Sequence, residues 1–83
     1  MKTKSNMTVI KEIDNKRWNI IKTLFIARRD KNIGQKELGK MLGITAMGIS
    51  YIEHRKRDIR LIELIKMANI LGYSLELKQN DKR

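Results

Sequence analysis

Apolar residues recur at helical spacing along most of the chain. Trp18, Ile21, Leu24 and Phe25 share one side of a helix predicted over residues 14–31, with Asp14 or Asn15 placed to cap its start. Asn32-Ile33-Gly34 breaks it. A second run, residues 35–42, groups Leu38, Met41 and Leu42 on one face and stops at Gly43, a residue suited to the left-handed position after a helix. Thr45 then stands where a cap belongs for a third helix over residues 46–54. A fourth carries Leu61, Leu64, Ile65, Ala68 and Leu71 and ends at Gly72. In residues 73–78 the apolar positions alternate, which is strand spacing. The pattern predicts an all-α chain, a compact bundle of four to five helices with a short C-terminal β-strand.

The two short helices joined by Gly43-Ile44-Thr45 are where function is to be sought. A turn of three residues with a glycine sets two helices at a steep angle, so that the second projects from the body. Leu38, Leu42, Ile44, Ile49 and Ile52 are spaced to close on one another. Ala46, Met47, Ser50 and Tyr51 fall on the opposite side of the third helix, a face without acidic residues until Glu53.

Composition narrows what such a face meets. The chain has 83 residues, enough for one small domain, with 19 Lys and Arg against 9 Asp and Glu and a net charge of +10. An excess of this kind points to a polyanion, either nucleic acid or an anionic membrane surface; the competing reading is that it only keeps the protein soluble. There is no cysteine, which excludes disulfides, thiolate metal sites and a cysteine nucleophile, and His54 is the single histidine. No metal, cofactor or enzymatic activity is expected. Glu76-Leu77-Lys78 imitates half of a nuclease signature, but no second carboxylate is placed to complete it. No stretch approaches the roughly 18 apolar residues of a membrane span. The basic start lacks the apolar segment of a secretory signal, so a cytoplasmic protein is expected. A domain this small without disulfides rests on helix packing and on a partner subunit.

From Arg28 to Leu77 the sequence resembles the phage repressor and Cro type of helix-turn-helix domain. The matching residues are Arg28, Gln35-Lys36-Glu37-Leu38, Gly43-Ile44-Thr45, Ile49-Ser50-Tyr51-Ile52-Glu53 and Leu64-Ile65-Lys66-Met67-Ala68 with Leu71-Gly72. The resemblance implies a DNA-binding regulator, most often a repressor, encoded by a bacterium, a phage or a mobile element. It implies that Thr45, Ala46, Met47, Ser50 and Tyr51 face the bases of double-stranded DNA. Gln35 would fix the docking register on a phosphate, and Arg28 and Glu53 would form a buried structural salt bridge. Lys36, Lys40, His54, Arg55, Lys56 and Arg57 flank this face and can neutralise phosphates. Met47 has a competing place in the core, Tyr51 could cover the helix end, and the run from Arg55 to Arg57 could be a solvated loop.

Three positions depart from the family pattern. Gly39 replaces its usual alanine, at a cost of roughly 1 kcal/mol of helix stability, while allowing a close helix crossing. Gly48 weakens the third helix similarly. Arg55 stands where the family usually has glycine.

Residues 1–12 thus read as a flexible basic arm, 13–78 as the DNA-binding domain with its helix-turn-helix at about 35–54, and 79–83 as a polar tail. A lone strand needs a partner. A subset resembling antitoxins pairs such a strand with that of a second copy, which implies a homodimer joined through Tyr73, Leu75 and Leu77 on a palindromic site; a frayed or folded-back strand is the alternative. The same subset implies a second function, an antitoxin or adaptor whose main partner is another protein, such as a toxin, and which represses its own operon.

Overall fold

The computed structural model describes residues 6–81, which form four helices. Residues 1–5 of the expected arm and 82–83 of the tail lie outside the described residues.

The first helix, α1 (Asn6–Asp30), starts far earlier than the hydrophobic pattern predicts. Residues 6–12, expected as an arm, form its first turns, and no boundary separates them from the domain. Nothing between Thr8 and Ile13 breaks a helix, since there is neither glycine nor proline. Asp14 sits inside α1 instead of capping it, and accepts from Arg17 one turn on at 2.8 Å. Twenty-five residues at 1.5 Å each give about 37 Å, most of the long axis of a molecule measuring 49 × 27 × 21 Å.

Three shorter helices follow: α2 (Gln35–Leu42), α3 (Ala46–Glu53) and α4 (Leu61–Ile70). One device ends all four. A residue in the left-handed region follows each helix, namely Asn32 (φ 58°), Gly43 (φ 77°), Arg55 (φ 64°) and Gly72 (φ 91°). The next amide then reaches back to satisfy an orphaned carbonyl: Ile33 to Arg28 at 3.1 Å, Ile44 to Gly39 at 2.8 Å, Lys56 to Tyr51 at 2.8 Å and Tyr73 to Ala68 at 2.8 Å. Asn32, and not Gly34, is therefore the residue that breaks α1.

The core gathers one strip from each helix: Leu24, Leu38, Leu42, Ile49, Met67, Ala68 and Leu71, with Ile33, Ile44, Ile59 and Leu64 packed around them. Of the expected closure, Leu38, Leu42 and Ile49 pack together with Ile44 against them, while Ile52 is buried outside that cluster. On α4 the inward strip is Glu63, Met67, Ala68 and Leu71, so Leu61 and Ile65, expected to point inward, are exposed; Met41 is exposed too.

The expected strand at 73–78 is not formed, and none of the described residues is in a strand. A strand is defined by its ladder, and the single chain offers this segment no second one. Tyr73, Leu75 and Leu77 are all exposed, Leu77 completely. Leu75 comes to rest near Asn19, Ile20 and Thr23 of α1.

Gly39 is buried where α2 meets the turn. Its carbonyl accepts from Ile44 N–H, and a Cβ added to it would collide with the Ile44 carbonyl oxygen. A Cβ at Gly48 would press on the Ile44 side chain. Both glycines thus let α2, α3 and the turn close on Ile44. Helix propensity alone would have Gly39→Ala stabilise the protein by about 1 kcal/mol. The expected outcome is the reverse, a loss of about 1–3 kcal/mol from overpacking against backbone, read as a lower midpoint in urea unfolding.

Candidate nucleic-acid interface

Helices of eight residues, as α2 and α3 are, do not persist alone in water. They are held here by each other, by α1 and by their caps. Thr45 fills its expected role, its Oγ1 accepting from the Gly48 amide at 3.0 Å. Ile49 and Ile52 seal the inner side of α3. The outer side presents Thr45, Met47, Tyr51 and His54 exposed, with Ala46 and Ser50 half-buried between them. Met47 is 63% exposed and Tyr51 44%, which removes the core reading of Met47.

The far end of α3 is fixed by a buried ion pair. Arg28 grips Glu53 with two donors, Nε to Oε2 at 2.7 Å and Nη2 to Oε1 at 3.1 Å. Its third donor, Nη1, reaches the Ile33 carbonyl at 2.7 Å. Gln35 adds a bond from Nε2 to Glu53 Oε1 at 3.0 Å. The side chain expected on a phosphate is thus partly committed inside, with one amide hydrogen and its oxygen left over. No buried polar side-chain atom among the described residues lacks a partner.

The basic run after α3 divides. Arg55 lays its guanidinium 5.1 Å from the centre of the Trp18 ring, so it faces α1 while staying exposed. Trp18 is half-buried beneath it. Arg57 is bound to Glu63 at 3.2 Å. Lys56 remains exposed, as do Lys36 and Lys40 on α2. His54 Nδ1 lies 2.8 Å from the Ser50 carbonyl oxygen. That oxygen only accepts, so Nδ1 carries the proton and Nε2 is the outward nitrogen.

Sequence reading missed the anchor of this loop. Glu63 is buried and accepts from the Arg60 backbone N–H at 2.9 Å, from Arg57 and from Arg60 Nε at 3.2 Å. The spacing Arg60-x-x-Glu63 is that of a capping box, disguised by an arginine at the cap. Burial alone pushes the Glu63 carboxyl up, but the Arg60 amide and the two guanidinium groups outweigh it and hold it below the ordinary carboxylate range. Asp58, in the same loop, pairs with Arg17 of α1. No cluster of three or more metal-ligating side chains occurs among the described residues, and no helix among them is long and apolar enough to cross a membrane.

A family model described as helix-turn-helix matches residues 24–78. Among solved structures, a toxin–antitoxin module from Streptococcus pneumoniae is similar, with a TM-score of 0.65 and 28% identity, over 92% of this chain and 81% of that one. No curated protein matches the chain.

Glu53→Ala leaves Arg28 buried without its counter-charge, and a stability loss of about 3–5 kcal/mol is expected in urea unfolding. Glu63 contributes stability only while ionised. Its lowered folded value means that this contribution is full at neutral pH and disappears as pH falls through that value. The stability gap between wild type and Glu63→Gln is therefore expected to narrow below the ordinary carboxylate range, measured by unfolding at a series of acid pH values.

Proposed function

This chain belongs to the helix-turn-helix family, of the repressor and Cro type, and we propose that it is a sequence-specific transcriptional regulator, acting as a repressor that covers a palindromic operator. The observation that carries this reading is the face of α3. Met47 and Tyr51 stand out from it, Ile49 and Ile52 are sealed beneath it, and the carboxylate at its end is matched by Arg28. A helix presented in this way is suited to the major groove. Met47 and Ala46 pack on thymine methyl groups, while Thr45, Ser50 and Tyr51 supply hydrogen bonds to base edges. Lys36, Lys40, Lys56 and His54 hold phosphates on either side, with Gln35 offering its remaining amide hydrogen. Arg55 and Arg57 shape the corner behind the helix. Two copies pair through residues 73–78, whose exposed Tyr73, Leu75 and Leu77 fit a ribbon closed across a two-fold axis. That dimer sets two copies of α3 about one DNA turn apart. The setting is the cytoplasm of a bacterium, with a phage or mobile element as a fitting origin.

A second reading is compatible with the first. The likeness to a toxin–antitoxin module supports an antitoxin or adaptor with a protein partner, which also represses its own operon. A stoichiometric partner copurifying from the native host is its expected mark.

Selection from a randomised duplex pool tests the first reading. The expected winner is a palindrome bound about a thousandfold or more tighter than scrambled DNA. Tyr51→Ala and Met47→Ala should each lose about tenfold on that winner. Lys36→Ala should weaken both duplexes alike and flatten the salt slope by about one. Binding of every variant at wild-type strength, without preference between duplexes, would refute the assignment of α3.

A further inference from the structure

The helix-turn-helix match begins at residue 24, yet α1 begins at Asn6. The stripe of α1 that enters the core at Leu24 and Ile21 continues toward the N-terminus through Arg17, Ile13 and Ile10, at helical intervals of three and four. Leu24 is 3% exposed and Ile21 7%, whereas Ile13 is 60% and Ile10 57% exposed, with Met7 beside them at 65%. The core-facing stripe therefore runs past the end of the body, and within the described chain nothing covers it. Its charges are already matched, because Arg17 holds both Asp14 and Asp58. At 100° per residue Lys11 and Lys16 fall on the two borders of the stripe, and both are exposed.

An apolar stripe between two lysine rims selects its occupant. A duplex offers only scattered thymine methyl groups, not a continuous apolar surface that would bury Ile10 and Ile13 together. A second copy docking through this same stripe would set the Lys11 and Lys16 rims of one chain against those of the other. We propose that the projecting half of α1 is a docking helix for a partner protein with an apolar groove edged by Asp and Glu, entered in the helix-in-groove manner with Ile10 and Ile13 as anchors. This rests on the second reading above, that the chain has a protein partner, and it locates that partner away from α3.

The test introduces a photoreactive benzoylphenylalanine into the full chain at position 10, 13, 15 or 47, in the native host. The protein crosslinked is identified, purified and titrated against the chain. Adducts are expected from positions 10 and 13 and not from the back of α1 at 15 or from α3 at 47. The purified partner should bind Ile10→Asp with Ile13→Asp about a hundredfold more weakly than wild type, and Lys11→Glu with Lys16→Glu about tenfold more weakly at low salt. Both variants should keep operator affinity within about threefold and full helicity, because all four side chains are exposed and distant from α3 in sequence. Adducts to a second copy, or a partner that binds Ile10→Asp with Ile13→Asp as it binds wild type, would overturn the docking helix and leave the protein-partner reading standing. Absence of any adduct and of any stoichiometric partner would overturn both.

Discussion

The Arg28–Glu53 pair is the constraint on which the arrangement depends. Taking both charges out of water costs several kcal/mol each, so the pair persists only because every donor and acceptor around it is used. The bidentate grip, the Ile33 carbonyl and the Gln35 amide supply that satisfaction. Those partners come from four places at once: α1, the turn after it, the start of α2 and the last residue of α3. Rotating α3 about its own axis would strand one of the charges. The pair is therefore better read as fixing orientation than as adding net stability, since an apolar replacement of the same shape often serves stability as well. Its consequence lies on the opposite side of the helix, where Met47 and Tyr51 are held outward.

A second tie holds the same helix from outside. Arg55 occupies a left-handed conformation, φ 64°, that a β-carbon makes costly by about 1 kcal/mol or more. Glycine would relieve that cost, but could not stack on Trp18. With Arg17, the residue beside Trp18 on α1, reaching Asp58, the corner after α3 is fastened to the middle of α1. The departure from the family pattern at this position is thus a structural fastening, and the corner keeps the conformation that glycine favours.

What could be seen in the sequence follows from how local each signal is. Gly43 as a left-handed stop, Thr45 as a cap and the inward set from Leu38 to Ile52 are each decided within a few residues, and the helix-turn-helix was legible for that reason. The start of α1 was not, because Met7, Val9, Ile10 and Ile13 show amphipathic spacing without a core to pack against, and such spacing between polar residues passes for an arm. The segment from Tyr73 to Lys78 alternates as a strand does, but a ladder needs a second strand, and alternation does not say where one is. On α4 several apolar stripes satisfy the same period, so the pattern alone turns Leu61 and Ile65 inward; only the packing of Met67 and Ala68 in one cluster with Leu38 and Leu42 chooses among them. For the candidate site, the face of α3 was legible. The fates of Gln35, Arg55 and Arg57 were not, since a sequence displays a charge and withholds its partner.

Those partners show a division of labour between the two kinds of cation. Each of the six arginines among the described residues is engaged within the chain: Arg17 with Asp14 and Asp58, Arg28 with Glu53, Arg29 against the Phe25 ring, Arg55 against Trp18, and Arg57 and Arg60 with Glu63. Guanidinium suits such work, being planar, forked and weakly hydrated, whereas an ammonium is a strongly hydrated point charge. Lysines at 36, 40 and 56 are left exposed around α3. Point charges on flexible stems attract phosphate without reading sequence. The arginine–guanine fork, the commonest specific contact in the major groove, is missing from this face because α3 carries no arginine. On the function proposed above, discrimination between duplexes would fall to methyl contacts by Met47 and Ala46, to the hydroxyls of Thr45, Ser50 and Tyr51, and to the shape of the DNA that places phosphates within reach of the lysines.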